Sequence, residues 1–305
     1  GAVFEFIIIR NSEVVKNHRR LFVSVLCEIF FGGGNMVKFI VDSTFGLSRE
    51  FAEQNGIKVV GLTLMLDGKE YREGFCDEWG DFYCAYAAGK SAAKTSQPSP
   101  DIFAQAVEAA CTDDADEAII FTIGDRLSGT IGSAKIAAMQ FPNRRVEAID
   151  SHNGGPSSLM FLQEMLKARD EGRNFDELCA YALEIRDRFS TKFVPVTLTE
   201  LARSGRVSKL ISRIGNVLNI KPVFEYRANE LTVLYKALGV KRAMQYAVDS
   251  IPKDCERIAL LYIHDDKFVE QLKERLLSAR GLERVDVYPM CPVGGAHIGL
   301  GTYVK

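Results

Sequence analysis

Between residues 36 and 150, short apolar runs alternate with longer segments in which apolar residues recur at helical spacing. The runs at 37–41, 57–66, 118–123 and 146–149 predict strands, and the segments at 47–55, 77–88, 100–110 and 128–140 predict helices. Strands that are apolar throughout and separated by helices are typical of parallel β-α-β units. The Asp67-Gly68 pair predicts a hairpin that continues into 69–72.

The pattern changes after the break at Asn153-Gly154-Gly155-Pro156. Two helical segments follow, at 157–170 and 174–189. The remaining strands are predicted at 194–197, 223–226, 231–234, 257–263 and 285–288, with helices at 239–250 and 266–279. We therefore predict an α/β fold of two domains, an N-terminal parallel-sheet (Rossmann-like) domain over 36–190 and a second α/β domain over 191–305.

The first 35 residues differ from the rest. A basic stretch around Lys16–Arg20 precedes an apolar run at 21–31, as in a secretory signal. However, Glu28 interrupts the run, no small-residue cleavage site follows, and a membrane span needs roughly 20 apolar residues. We predict that residues 1–35 are an extension outside the native fold, with Met36 as the natural start. A membrane-associated leader is the alternative.

Composition and charge reduce the number of function classes that the chain could belong to. The 305 residues are 47% hydrophobic and 26% charged, and 38 basic against 40 acidic side chains give a net charge of −2. Without a basic excess, we expect no nucleic-acid partner. The seven cysteines are scattered and form no C-x-x-C pair, which indicates neither a disulfide framework nor a metal site. A reducing, cytoplasmic location is the simplest expectation.

Polar residues follow three of the predicted strands, at Asp42–Thr44, Gly124-Asp125 and Asp150-Ser151. Parallel sheets bind ligands beyond the carboxyl ends of their strands. Two hydroxyl-rich segments, Thr95–Pro100 and Ser128–Thr130, stand where helices begin. Each is explained by helix capping alone, or by an anion site built from hydroxyls and free helix N–H groups. Two such segments in one domain favour a shared anionic ligand.

Three further motifs need interpretation. Gly89-Lys90-Ser91 is not a phosphate-binding loop, because Cys84 stands where that motif needs glycine. His297 lies in a glycine-dense loop predicted over 294–301, where it is either structural or part of a site. Gly205-Arg206 is first a helix C-cap pattern, and otherwise an arginine that contacts a ligand or a partner.

Taken together, these segments resemble the DegV family, whose characterised members are bacterial fatty-acid-binding proteins. The matching segments are FIVDST (39–44), TSQPSP (95–100), SGTIGSA (128–134), Asp150-Ser151, SGRVSK (204–209), NIKPV (219–223) and GAHIGLG (295–301). Their order covers residues 36–305. The chain departs from the family at Ser204, where glycine is usual, at Leu300, where proline is usual, and after Asp150-Ser151.

The resemblance implies a fatty acid enclosed between the two domains, with no catalytic residue, metal or cofactor of the protein's own. It implies the binding subunit of a fatty acid kinase, whose separate catalytic subunit uses ATP to make an acyl phosphate for phospholipid synthesis. Contact with the membrane would be transient. By motif position, the residues expected around the carboxylate are Thr95, Ser96, Ser128, Gly129, Thr130 and His297. Arg206 is expected on the surface that meets the kinase subunit.

Two other functions remain open. One is a sensor or regulator that binds lipid and has no kinase partner. The other is an acyl hydrolase with Ser128 or Ser43 as nucleophile and His297 as base, although neither serine lies in a G-x-S-x-G elbow.

Overall fold

The computed structural model describes residues 4–9, 37–88, 92–195, 198–206, 220–262, 272–274, 276–278 and 284–298. Four sequence features lie wholly or mostly outside these ranges. They are the Gly89-Lys90-Ser91 motif, residues 1–3 and 10–35 of the extension, the motif positions 207–209, 219 and 299–301, and most of the helix predicted at 266–279.

The strands and helices of the described residues are numbered here in chain order. The strands are β1 (Phe4–Ile9), β2 (Lys38–Asp42), β3 (Lys58–Val60), β4 (Thr63–Leu66), β5 (Lys69–Arg72), β6 (Lys94–Ser96), β7 (Ala118–Thr122), β8 (Val146–Asp150), β9 (Phe189–Val194), β10 (Ile220–Arg227), β11 (Glu230–Leu238), β12 (Ile258–Tyr262) and β13 (Val285–Pro289). The α-helices are α1 (Arg49–Gln54), α2 (Gly80–Ala88), α3 (Pro100–Ala110), α4 (Thr130–Ala138), α5 (Pro156–Asp170), α6 (Phe175–Ile185), α7 (Thr199–Arg203), α8 (Val240–Asp249) and α9 (Pro292–Ile298).

The first sheet has the order β3-β2-β7-β8, and all its strands are parallel. All five residues of β7 are buried, as a central parallel strand requires. One face packs on α3 and α4 through residues such as Phe103 and Ile131. The other face packs on α5 and α6 through Phe161 and Leu178. The predicted α/β fold class is confirmed.

The second sheet has the order β11-β10-β9-β1-β12-β13, in which only β12 and β13 are parallel to each other. Strand β1 differs from the expectation that residues 1–35 lie outside the fold, because its backbone pairs with both β9 and β12. The run FEFIII is rich in aromatic and β-branched residues, which favour a strand between two neighbours.

A third, smaller sheet has the order β5-β4-β6. The single strand predicted at 57–66 is two strands, because Gly61 and Leu62 interrupt it. A Cβ atom on Gly61 would lie 2.1 Å from the carbonyl oxygen of Glu73, so only glycine fits there. The predicted hairpin is confirmed, since Asp67 and Gly68 both have positive φ between the paired strands β4 and β5.

The two large sheets share a core. A row of edge-to-face aromatic contacts leads from Phe121 in β7 through Phe161 in α5 to Phe189 in β9, with centroid distances of 5.2 and 6.1 Å. Strand β9 of the second sheet begins at Phe189, slightly before the predicted domain boundary after residue 190. The division into 36–190 and 191–305 stays a prediction. Within the described part of the chain, every helix is too short or too polar to cross a lipid bilayer.

Candidate functional site

A cavity of about 370 Å³ lies between the carboxyl end of the parallel sheet, the third sheet, β9, β10 and α9. Its volume is within the usual range for a small-molecule site. The residues that line it are Thr44, Leu62, Thr95, Ser96, Gln97, Ile123, Leu127, Ser128, Gly129, Gly154, Gly155, Thr191, Phe193, Leu201, Ser204, Arg206, Tyr226, Leu231, Met290, Cys291, Val293, Gly294, His297 and Ile298.

The closest polar pair in the cavity joins residues 202 positions apart. Thr95, on β6, and His297, in the last turn of α9, have Oγ1 and Nε2 2.7 Å apart. We had predicted a loop around His297, and its described part is instead the helix α9. Pro292 begins that helix with a fixed φ and no N–H to satisfy, which offsets the low helix propensity of its glycines.

The imidazole of His297 is neutral at pH 7. Burial, and then the positive charge of Arg206, lower the pKa of His297 to about 4. A neutral ring can donate from Nε2 to Thr95, which leaves the threonine O–H free to donate to a bound acceptor. The pair therefore provides hydrogen-bond donors without a fixed positive charge on the ring.

Ser128 and Gly129 line the cavity just before α4 begins. The hydroxyl oxygens of Ser128 and Thr130 are 2.8 Å apart. Thr130 is fully buried and is not part of the cavity wall, so it orients Ser128 from behind. Thr95, Ser96, Ser128, Gly129 and His297 thus share one cavity, while their role toward a carboxylate stays a prediction.

Gln97 and Thr191 are polar residues of the wall that were not among the predicted site residues. The side chain of Gln97 lies over Gly129, since a Cβ atom there would be 2.4 Å from Gln97 Oε1, and its Nε2 donates to Ser133 Oγ at 2.9 Å. Thr191, on β9, donates to Ser157 Oγ at 3.0 Å. Gln97 lies inside the TSQPSP segment, whereas nothing local to Thr191 signals a site, because tertiary packing brings β9 there.

Arg206 also lies in the cavity wall, where it is half-buried. Its guanidinium donates from Nε to the Leu127 carbonyl at 3.2 Å and from Nη1 to the Ser204 carbonyl at 2.9 Å. Burial lowers the pKa of Arg206, yet arginine stays charged at neutral pH. Arg206 therefore lies at the cavity, and its expected place on the surface that meets the kinase subunit stays a prediction.

Away from this polar end, the wall is apolar. Its buried side chains include Phe193 of β9, Leu201 of α7 and Val293 of α9. Phe193 stacks on Phe224 with ring centroids 5.1 Å apart, which fixes its orientation. One cavity therefore combines hydroxyls and an imidazole with an aliphatic and aromatic surface.

The polar residues after the parallel strands hold this end of the sheet together. Asp42 accepts from Thr44 N at 3.0 Å and from Ile123 N at 2.7 Å, and both partners line the cavity. Burial raises the pKa of Asp42 to about 6. Asp150 accepts from Asp125 N at 3.1 Å in the same way. These carboxyl groups shape the loops and are not themselves part of the cavity wall.

The geometry does not form the serine–histidine pair that a hydrolase needs. Ser43 Oγ is buried and donates to Glu73 at 2.5 Å, Ser128 Oγ bonds to Thr130, and His297 bonds to Thr95. Neither candidate serine therefore has His297 as its base. Among the described residues, no three His, Cys, Asp or Glu side chains converge closely enough to hold a metal ion. The expectation of a site without metal or cofactor stays a prediction.

Comparison with known proteins identifies the family. The family described as "Uncharacterised protein, DegV family" matches residues 36–303, nearly nine tenths of the chain. The chain belongs to the DegV family. A DegV domain-containing protein of Listeria innocua is 30% identical over 276 residues, which cover 88% of this chain and 96% of that protein.

Solved DegV structures share the fold. A fatty-acid-binding DegV family protein of Thermus thermophilus superposes with a TM-score of 0.76 at 28% identity, covering 87% of this chain and 96% of that one. The fatty acid kinase B3 protein of Streptococcus pneumoniae, loaded with linoleic acid, gives a TM-score of 0.72 at 24% identity over 87% and 96% of the two chains. At that identity, the second comparison supports the fold only.

Proposed function

We propose that this DegV protein binds a long-chain fatty acid in the cavity and presents its carboxylate to a separate, ATP-dependent kinase subunit. The observation that carries the proposal is the division of one cavity into a hydroxyl-lined end and an apolar wall. An amphiphile with a single acidic head group matches that division. The relative from Thermus thermophilus is itself a fatty-acid-binding protein, at 28% identity over most of both chains.

The apolar wall supplies most of the affinity. Burying an acyl chain contributes roughly 0.8 kcal/mol per CH₂, which is on the order of 10 kcal/mol for a long chain before ordering costs. Hydrogen bonds to a charged group add about 1.5–3 kcal/mol each. The tail therefore decides whether the ligand binds, and the head-group donors decide how its carboxylate is oriented.

The head-group donors favour presentation over permanent capture. Thr95 and Ser128 offer hydroxyl groups, and His297 is neutral, so these three residues do not lock the carboxylate in an ion pair. Two nitrogens of Arg206 already donate to carbonyl oxygens, which leaves fewer of its N–H groups to clamp a carboxylate. A carboxylate held this way keeps an oxygen that can attack the γ-phosphorus of ATP, displace ADP and form an acyl phosphate in the partner's active site.

The first experiment identifies the ligand. Native mass spectrometry of protein purified from bacteria should detect a bound fatty acid, and a fluorescent fatty acid should bind and be displaced by an unlabelled one. Protein that neither carries nor binds fatty acid would contradict the proposal.

The second experiment tests presentation. Adding the kinase subunit of the same organism and ATP should yield an acyl phosphate, trapped by hydroxylamine as a hydroxamate, at a rate that depends on the DegV protein. Fatty-acid binding without this product would favour the sensor or regulator. Turnover of acyl esters by the protein alone would favour the hydrolase. The role in phospholipid synthesis, the transient membrane contact and the cytoplasmic location are parts of the same proposal.

A further inference from the structure

Glu73 is a buried carboxyl group directly behind the cavity wall. It follows β5, is 2% exposed, and its backbone N–H donates to the Leu62 carbonyl at 2.8 Å. No basic side chain in the described ranges forms an ion pair with it. A buried carboxyl group without a cation is costly, so its hydrogen bonds must account for its place in the fold.

The two carboxyl oxygens of Glu73 have different partners. Oε2 accepts from Ser43 Oγ at 2.5 Å, and Oε1 accepts from Val293 N at 2.8 Å. Ser43 Oγ in turn accepts from Leu62 N at 3.0 Å. One side chain thus joins the segment after β2, the junction of β3 and β4, and the first turn of α9.

All three joined segments reach the cavity. Thr44 follows Ser43, and Thr44, Leu62 and Val293 all line the wall. Val293 also has the first backbone N–H of α9, because the preceding residue is proline, and an N–H in this position has no partner within the helix. Satisfying that N–H fixes where the helix begins, and His297 lies one turn further along the same helix.

We propose that Glu73 is a positioning residue, which holds α9 so that His297 meets Thr95 at the head-group end of the cavity. The inference rests on the proposed function, because its effect is measured on the bound fatty acid. What matters is the span between Ser43 and Val293, and not the charge of the carboxyl group. A protonated Glu73, or a glutamine, can accept from Val293 N with one terminal atom and donate to Ser43 Oγ with the other.

The experiment compares three substitutions of Glu73 by fluorescent fatty-acid displacement. Glu73→Ala removes both bonds, and Glu73→Asp is too short to span them, so each should weaken binding about tenfold or more. Glu73→Gln should stay within about threefold of the wild type. Glu70→Ala, at an exposed position on β5, is the matched control and should have no effect.

Two further readouts separate positioning from general destabilisation. The His297 imidazole signals should titrate at higher pH in Glu73→Ala and Glu73→Asp than in the wild type and Glu73→Gln. In a double-mutant cycle, His297→Ala should weaken binding much less when Glu73 is already alanine. If Glu73→Ala does not fold, Glu73→Asp and Ser43→Ala, which removes one of the two bonds, provide the same comparison.

The outcomes distinguish this inference from the proposed function. Wild-type protein that binds no fatty acid contradicts the proposed function. Wild-type protein that binds, together with folded Glu73→Asp that binds equally well and has an unchanged His297 titration, overturns the positioning role. Additive effects of Glu73 and His297 substitutions would overturn it too.

Discussion

The two ends of the cavity are built in different ways. The polar end consists mainly of short segments that each carry a visible local motif, such as Thr95-Ser96-Gln97 and Ser128-Gly129. The apolar wall takes single residues from elements that are far apart in the chain, such as Phe193, Leu201 and Val293. The polar end is therefore encoded by local segments, while the apolar wall is a product of tertiary packing.

The comparison predicts that the largest loss follows a charge placed in the apolar wall. Leu201→Asp puts a carboxylate against the acyl chain, at a position that is 3% exposed. Such a group costs several kcal/mol to bury, so we expect fatty-acid affinity to fall by about 100-fold or more. Displacement titration measures the loss.

The next residue on the same helix is the control. Ala202 is exposed, and Ala202→Asp should leave the affinity unchanged. Comparable losses from both substitutions would show that α7 is sensitive to any charge, and the contrast between the two ends would no longer hold.

A second effect concerns stability at the polar end. Burial, together with the nearby carboxyl group of Asp42, raises the pKa of Glu73 to about 7. A raised pKa means that the folded state holds the proton more tightly, so stability from this group is present at low pH and is lost as pH rises through about 7. Glu73→Gln stays neutral and avoids that loss.

The free energy of unfolding of Glu73→Gln relative to wild type should therefore increase between pH 5 and 8, by up to about 3 kcal/mol. Urea unfolding at several pH values measures it. The buried Asp42 is present in both proteins, so the difference reports the titration of Glu73 and its coupling to Asp42. A difference that shrinks as pH rises would mean that Glu73 is ionised in the fold at low pH.

A third, smaller effect tests the head-group donors. Thr95→Val keeps the shape of the side chain but removes the hydroxyl and leaves His297 Nε2 without its partner. Loss of such a bond costs about 1–3 kcal/mol, so the affinity should fall by about tenfold to 100-fold. Thr63→Val, on the neighbouring strand β4, should change nothing. Equal binding by Thr95→Val would exclude this residue from the head-group site.

The smallest effect is expected at Gly129. An added Cβ atom would meet only the end of the flexible Gln97 side chain, at 2.4 Å, so Gly129→Ala should weaken binding a few-fold at most. Gly132→Ala, on α4, has open space around it and should stabilise the protein by up to about 1 kcal/mol. A large loss from Gly129→Ala would mean that the head group touches this backbone directly.

The sequence was sufficient for the strands and helices of the first sheet, because their apolar runs are unambiguous, and for the hairpin that Asp67-Gly68 marks. It was also sufficient to single out the segments around Thr95 and Ser128 that line the polar end, because two hydroxyl-rich segments in one domain stand out in the sequence. It did not predict the break at Gly61, which depends on the close approach of Glu73 from another strand. It could not predict Thr191, since β9 reaches the cavity only through sheet assembly.

Two other differences have physical reasons. The glycines around His297 indicated a loop, but Pro292 and the bond from Val293 N to Glu73 make the segment helical. The sequence predicts residues 1–35 to lie outside the fold, whereas β1 pairs with β9 and β12. That pairing depends on two strands that are distant in the chain. Local composition predicts neither the helix around His297 nor the pairing of β1.

The row of rings from Phe121 through Phe161 to Phe189 limits how a ligand can enter. Separating the two large sheets would expose these rings to water and break the aromatic contacts between them. Shifting the short helix α7, in which Thr199, Ala202 and Arg203 are exposed and Leu201 is buried, leaves that row intact. We therefore expect a fatty acid to enter the cavity beside α7, while the row of aromatic contacts between the two sheets stays intact.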